Sequence, residues 1–415
     1  MILTQTEPIG ILPCPGAERL TGSLINYLRS THIKRCQRSI EAICRRHQIK
    51  QDELIRQINL AAEFSSQARI GAKNVLELKT PHYLIPSRST RFANGEVKLE
   101  ILRSIRGMDI FVIVDCENHY PLTIEDGAGG KAVFSVNDHV MMLFAAVDAV
   151  LGAGARSCTL VLPAYPYARQ HKKKGREPLT ASWFGKVCEF MGVKRIITLD
   201  IHSKAIENSF HRLSLENLHA SYQILLELSK LVDINNEDLV LVSPDTGAVD
   251  RNKFFAENLN KPLALLYKER DYSKVSASAE DNNIIGAKLL GKVKDKTVFM
   301  ADDMLGTGGT LINAMRTLLD LGAKRIICAI SLPLFSAGSM EAFDKAYQEG
   351  LFYRIIGTDA VYHDSRLYDR EWFVCAGISG LFGEAIFRLQ DGKSLSTLLD
   401  NRRKIQDLLS KGQES

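Results

Sequence analysis

Three stretches of this chain repeat one pattern, and the repetition constrains the fold more than any other feature. Gly154-Ala-Arg-Ser-Cys-Thr-Leu-Val-Leu-Pro163, Gly192-Val-Lys-Arg-Ile-Ile-Thr-Leu-Asp200 and Gly322-Ala-Lys-Arg-Ile-Ile-Cys-Ala-Ile-Ser331 each run from a glycine through basic residues into a short apolar segment. Ahead of them, residues 138–151, 180–191 and 311–321 carry apolar positions at helical spacing, so each glycine falls at the left-handed position just past a helix end. The apolar segments do not alternate with polar residues, which predicts strands covered on both faces, as in a parallel sheet. Further strands are expected at 110–114, 239–243, 263–267, 298–301, 354–358 and 372–376. Helix-to-strand joints of this kind belong to βαβ units, and 415 residues suffice for two domains. The predicted class is α/β, with two doubly wound, mainly parallel sheets in tandem. The expected division is 1–220, 221–385 and a C-terminal helical segment at 386–415.

Residues 31–82 break the rhythm. A basic helical run (Lys34, Arg35, Arg38, Arg45, Arg46) leads into 51–64, where Leu54, Ile58 and Ala61 recur at helical spacing. This insertion reads as a solvated helical hairpin in preference to an RNA-binding or partner-binding arm, because charged helix faces are usually just solvated. The net charge of +5 suits phosphorylated substrates and gives no case for nucleic acid. Eight cysteines without a C-x-x-C pair read as buried thiols in a reducing cytoplasm, not as zinc ligands or disulfides. Neither an export signal nor an apolar run of membrane length is found, so no membrane is expected. Two glycine loops are set aside: 286–293 has Val293 where a P-loop needs Ser or Thr, and Gly152-Ala-Gly154 lacks the third glycine of a dinucleotide fingerprint.

The most informative chemistry lies in Val298-Phe-Met-Ala-Asp302-Asp303-Met-Leu-Gly306-Thr307-Gly308-Gly309-Thr310. An apolar strand meets two adjacent carboxylates, then a glycine-rich turn, then a helix. Such a turn offers backbone N–H groups at a helix N-terminus, where the macrodipole also favours an anion. Carboxylates beside a phosphate need hydroxyl donors or a metal on the same ligand, which points to a sugar phosphate. At other strand ends, Tyr167-Ala-Arg169-Gln170 supplies a cationic fork for polyphosphate and an amide for a base or ribose. Asp200 and His202 would share a face by strand alternation and take Mg²⁺ directly or through water. Asp245 is poised for a sugar hydroxyl or hydrated metal, with helix N-capping as its structural alternative. Lys268 and Arg270 follow a strand and precede a polar stretch to Asn283, suited to a mobile lid that neutralises developing phosphoryl charge.

Taken together, these segments resemble the ribose-phosphate diphosphokinases, also called PRPP synthetases, over residues 11–28 and from about residue 90 to the C-terminus. The resemblance implies two phosphoribosyltransferase-like domains. Arg91-Phe92-Ala-Asn94-Gly95-Glu96 is similar to the family motif that holds the adenine of ATP from a neighbouring subunit, which implies ATP contacts at Phe92, Asn94, Gly95 and Glu96 and a homo-oligomer. Arg169 and Gln170 match further ATP contacts; His202, with Asp200 beside it, and Asp245 match the Mg²⁺ ligands. Lys268 and Arg270 match the catalytic pair. Ribose 5-phosphate would lie on Asp245, Arg270, Asp302, Asp303, Gly306, Thr307, Gly308, Gly309 and Thr310. The implied reaction moves the β,γ-diphosphoryl group of Mg-ATP to the anomeric hydroxyl of ribose 5-phosphate, giving PRPP and AMP.

Gly306 stands where the synthetases usually carry aspartate, His171 replaces another aspartate, and Thr246 and Ala248 alter the turn after Asp245. These departures motivate two alternatives: a non-catalytic subunit that regulates a synthetase, and a phosphoribosyltransferase. A transferase needs neither the Phe92 motif nor Tyr-Ala-Arg-Gln. A regulator has no physical need for Lys268, Arg270, His202 and Asp245.

Overall fold

The apolar segments pair as parallel strands in two separate sheets. The structure, a computed structural model, describes residues 9–64, 69–70, 76–124, 131–173, 175–270, 284–336 and 338–411. One compact unit holds the chain up to Leu218 together with Ser379–Leu399; the other holds His219–Ile378 and the chain from Asp400.

The first unit contains β1 (Ile9–Pro13), a hairpin of β2 (Ser87–Arg91) and β3 (Val97–Ile101), then β4 (Asp109–Ile113), β5 (Ser157–Val161), β6 (Arg195–Leu199) and β7 (Ser214–Leu218). Its main sheet runs β1-β4-β5-β6-β7, parallel throughout. Helices α1 (Glu18–His47), α2 (Gln51–Phe64), α3 (Val136–Gly152) and α4 (Thr180–Phe190) accompany it. Ser135 and Asp138 cap α3 reciprocally, satisfying backbone donors that a helix start leaves open. Past the ends of α3 and α4, Gly154 and Gly192 take φ of 80° and 99°, the left-handed backbone that their sequence position called for. Val112, Leu160 and Ile196, from successive strands, are completely buried beneath Leu143 and Val147 of α3. Full burial of each such side chain contributes about 1.5–3 kcal/mol.

The second unit contains β8 (Leu239–Ser243), β9 (Leu263–Arg270), β10 (Ile284–Leu290), β11 (Thr297–Leu305), β12 (Arg325–Pro333), β13 (Arg354–Thr358) and β14 (Phe373–Ala376). The order is β10-β9-β8-β11-β12-β13-β14, with β9–β10 the antiparallel pair at one edge. Helices α5 (Ser221–Leu231), α6 (Val249–Leu259), α7 (Gly309–Asp320) and α8 (Ser339–Gln348) cover it. The set-aside loop at 286–293 falls largely within strand β10, not in a loop that opens a helix.

Two expectations change. The insertion is not a separate hairpin beginning at residue 31, because α1 is one helix of 30 residues that starts at Glu18 and buries Leu24, Leu28, Cys36 and Ile40. Its partner is α9 (Ser379–Gln390). Arg35 lies over the Phe387 ring at 4.4 Å and pairs with Asp391 at 3.0 Å and Glu384 at 3.5 Å. The C-terminal segment is also not a single body: the boundary at 385/386 falls inside α9. After α10 (Ser396–Leu399) the chain enters α11 (Arg402–Lys411), which belongs to the second unit. There Asn401 Nδ2 donates to His219 O at 2.8 Å and Gln406 Nε2 to Asn258 O at 3.3 Å.

Among the described residues no helix is long and apolar enough to cross a membrane. None of the eight cysteines forms a disulfide.

Candidate active site

Strand β11 is longer than its apolar run and carries Asp302 and Asp303 at its end, where Asp302 pairs in register with Ile330. Asp303 N–H donates to Asp302 Oδ1 at 2.8 Å. The turn then passes through Gly306 and Thr307 to Gly308, whose φ of 77° starts α7 without any side-chain cap. The first amides of α7 are therefore open. Thr307, Gly309 and Thr310 are exposed, and a Cβ added at Gly309 would meet nothing within 4 Å, so the helix start is open.

Asp245 follows β8. Its Oδ1 accepts the N–H groups of Gly247 at 2.8 Å and Ala248 at 3.0 Å, while Ser243 Oγ donates to Asp245 O at 2.7 Å. These bonds close the turn ahead of α6, whose own N-cap, Ala248, has no side-chain cap bond; they aim the carboxylate through Oδ1 and leave Oδ2 for a ligand. A residue that the sequence reading missed ties this turn to the other carboxylates. Asn252, completely buried, donates to Ala248 O at 2.9 Å and Ala301 O at 2.8 Å and accepts Ala301 N–H at 2.9 Å. Its signal, an asparagine inside an otherwise unremarkable helix, is too common to single out. The result is three carboxylates in electrostatic contact. Burial, then Asp303, then Asp245 push the Asp302 carboxyl up to about 7. A charge cluster of this kind is relieved by hydroxyl donors or a hydrated cation.

In the first unit, buried Tyr165 donates its hydroxyl to Ala181 O at 2.8 Å, and Tyr167, at φ 58°, donates to Asn137 Oδ1 at 2.7 Å. These anchors leave Arg169 and Gln170 exposed at the end of β5. Glu117 stands close enough that Arg169 partly offsets the rise that burial imposes on its carboxyl. His171 and His202 form an edge-to-face ring pair with centroids 5.1 Å apart. His171 Nδ1 lies 3.2 Å from Ala168 O; a carbonyl only accepts, so Nδ1 carries the proton and Nε2 keeps its lone pair. Burial first and His202 next hold the His171 imidazole below its ordinary range.

Asp200 departs from expectation. Its φ of 43° ends strand geometry at Leu199, so alternation does not extend to His202: Asp200 is buried and His202 exposed. Strand alternation therefore does not set a shared face for the two side chains. Phe92, Asn94, Gly95 and Glu96 form the tip of the β2–β3 hairpin, held by Phe92 N–H to Glu96 O at 2.8 Å and Glu96 N–H to Asn94 Oδ1 at 3.1 Å. Phe92 is 48% exposed, far from the usual state of an unpartnered phenyl ring.

Lys268 and Arg270 are on β9, paired with Ala287 and Ile284 across a bulge between Glu269 and Arg270. The expected lid up to Asn283 lies outside the described residues. The structure brings Asp245, Asp302 and Asp303 together in the second unit; Arg169, Gln170, His171 and His202 cluster at strand ends of the first. Among the described residues no group of three or more metal-binding side chains could hold an ion unaided.

The unit that carries the uncapped helix start and the grouped carboxylates has the fold of the phosphoribosyl transferases, which gives the class. Residues 64–192 match the family described as the N-terminal domain of ribose phosphate pyrophosphokinase, and 211–364 match the phosphoribosyl transferase domain. A ribose-phosphate pyrophosphokinase of Thermosipho africanus is 36% identical over 309 residues, covering 74% of this chain and 87% of the relative. Ribose-phosphate pyrophosphokinase 2 of Schizosaccharomyces pombe is 31% identical over the same length, with the same coverage, 74% and 87%. The crystal structure of phosphoribosylpyrophosphate synthetase from Mycobacterium smegmatis matches in fold, with a TM-score of 0.66 at 22% identity, over 93% of this chain and 100% of that one. The chain belongs to the ribose-phosphate pyrophosphokinase family.

Proposed function

We propose that the protein transfers the β,γ-diphosphoryl group of Mg-ATP to the anomeric hydroxyl of ribose 5-phosphate. The bond from O1 to the β-phosphorus forms, the bond between that phosphorus and the α,β-bridging oxygen breaks, AMP leaves, and the hydroxyl proton is released. No covalent enzyme intermediate is needed. The observation that carries this reading is the uncapped start of α7 next to Asp302, Asp303 and Asp245. First-turn amides would receive the 5-phosphate, and the carboxylates would accept hydrogen bonds from the ribose hydroxyls.

Asp245 Oδ2 in the second unit, and His202 with the buried Asp200 in the first, would each be candidate ligands for Mg²⁺. The ion, when bound, neutralises phosphate charge and orients the bridging oxygens. Arg169 and Gln170 would bind ATP, and Lys268 with Arg270 would neutralise charge as the diphosphoryl group moves. Phe92, Asn94, Gly95 and Glu96 would close the adenine site of a second copy, which accounts for an exposed phenyl ring on a rigid hairpin tip. Free thiols fit a cytoplasmic setting.

Phosphorus NMR of the full chain with Mg-ATP and ribose 5-phosphate tests the proposal. AMP together with a diphosphate on C1 is expected. Formation of ADP would identify an ordinary kinase instead, and absence of turnover would favour the regulatory subunit.

A further inference from the structure

The sheet of the second unit winds outward in both directions from one seam. β8 leads through α6 to β9 on one side, and β11 leads through α7 to β12 on the other, so the winding reverses between β8 and β11. Open α/β sheets take ligands in the crevice at such a reversal. Here the crevice has Asp245 after one strand and Asp302 on the other.

The two strands part before they reach those carboxylates. β8 and β11 pair from Leu239↔Thr297 to Leu241↔Phe299, whereas β11 stays paired with β12 as far as Leu305↔Pro333. Thr297 N–H donates to Asp238 O at 3.0 Å, so alternation turns the amides of Phe299 and Ala301 toward β8 as well. Continuing the ladder would set Ser243 opposite Ala301 and require an N–H on residue 244. That residue is proline, which has none. Ala301 is buried, so its backbone groups need other partners. Asn252 supplies them: its Oδ1 accepts Ala301 N–H at 2.9 Å and its Nδ2 donates to Ala301 O at 2.8 Å. The second hydrogen on Nδ2 goes to Ala248 O at 2.9 Å, which uses both donors of the amide. Ala248 in turn donates its N–H to Asp245 Oδ1 at 3.0 Å, and Ala301 directly precedes Asp302. One buried side chain replaces the missing ladder and joins the two segments that carry carboxylates.

We propose that Asn252 is a positioning residue for sugar recognition: it fixes the separation of Asp245 and Asp302 across the crevice, and with it the fit of the ribose hydroxyls. Asn252 acts through these two carboxylates and touches no substrate. The inference rests on the proposed function, which sets the hydroxyls on the carboxylates. Contact with the 5-phosphate, at the start of α7, does not pass through Asn252.

Asn252→Leu keeps the volume of the side chain and removes its bonds. The test titrates ribose 5-phosphate and 2-deoxyribose 5-phosphate, which lacks one hydroxyl, into the full chain and into this variant by calorimetry. The wild type should prefer ribose 5-phosphate. In the variant that affinity should fall about tenfold, and affinity for the deoxy sugar less than about threefold, because hydroxyl-to-carboxylate bonds are lost and the phosphate contact is kept. A general loosening of the unit would instead weaken both sugars alike. Equal affinity of the wild type for the two sugars, or a variant that loses both equally or neither, overturns the inference. A wild type that binds neither sugar removes the functional reading itself. Hydrogen exchange of the wild type, read at single residues, decides even if the variant fails to fold: the Ala301 amide should be as protected as that of Phe299, and exchange at the rate of an open loop overturns the inference.

Discussion

Gly308 lies directly against the ring of Phe343: a Cβ on it would fall 2.3 Å from Phe343 Cε2. Phe343 is completely buried on α8, and Gly308 needs a left-handed backbone to turn β11 into α7. The turn proposed to receive the 5-phosphate is thus moulded from behind by the core of its own unit.

Gly308→Ala should therefore be costly twice over, through strained backbone and through overpacking. A loss of about 2–4 kcal/mol is expected from the two effects together. Urea unfolding measures it, and affinity for ribose 5-phosphate should fall in parallel. Wild-type stability in this variant would mean that the turn is not set by Phe343.

Asp302 predicts a pH dependence. Burial raises its carboxyl from an ordinary 3.8 to about 7, so its contribution to stability is full below the lower value and is lost as pH rises through the higher one. Without ligands, the second unit should melt at a lower temperature at pH 8 than at pH 5. Asp302→Asn should narrow that difference and weaken ribose 5-phosphate binding. A variant with the same pH response as the parent would place the effect elsewhere.

Lys268→Ala should lower turnover by about 10²–10³, the range for removing one donor that acts on transition-state charge. Unfolding midpoints should not change. Normal turnover would remove this strand end from the proposed mechanism.

The α1–α9 contact separates charge from packing. Arg35→Ala breaks part-exposed ion pairs with Asp391 and Glu384, so solvent screening limits the cost to about 1 kcal/mol. Gly383→Ala is harsher, because its Cβ would fall 2.2 Å from Tyr27 Cδ1. Reversible unfolding of the two variants should rank them in that order; the reverse order would show that the ion pairs dominate.

Strands β5, β6 and β12 were legible because each lies just past a glycine that ends a helix, and burial on both faces demands an uninterrupted apolar run. Strand β7, Ser214–Leu218, escaped notice for the opposite reason. Its sequence, Ser-Leu-Glu-Asn-Leu, is an edge strand with polar positions, and Glu216 is occupied by Arg195 at 3.2 Å. The turn from Gly306 to Thr310 was readable as a strand-to-helix turn, since its glycines stand between an apolar run and a helical pattern. Asp200 was misread because strand alternation was carried one residue too far, across a positive φ that only coordinates reveal. Asn252 could not have been found at all, since its role depends on a contact across 49 positions of chain.

Because α9 completes the first unit and α11 the second, neither is an uninterrupted stretch of polypeptide. During synthesis, then, the sheet that emerges first must wait until all of His219–Ile378 has been made before α9 can seat. Truncation just after Ile378 would leave both units unfinished at once.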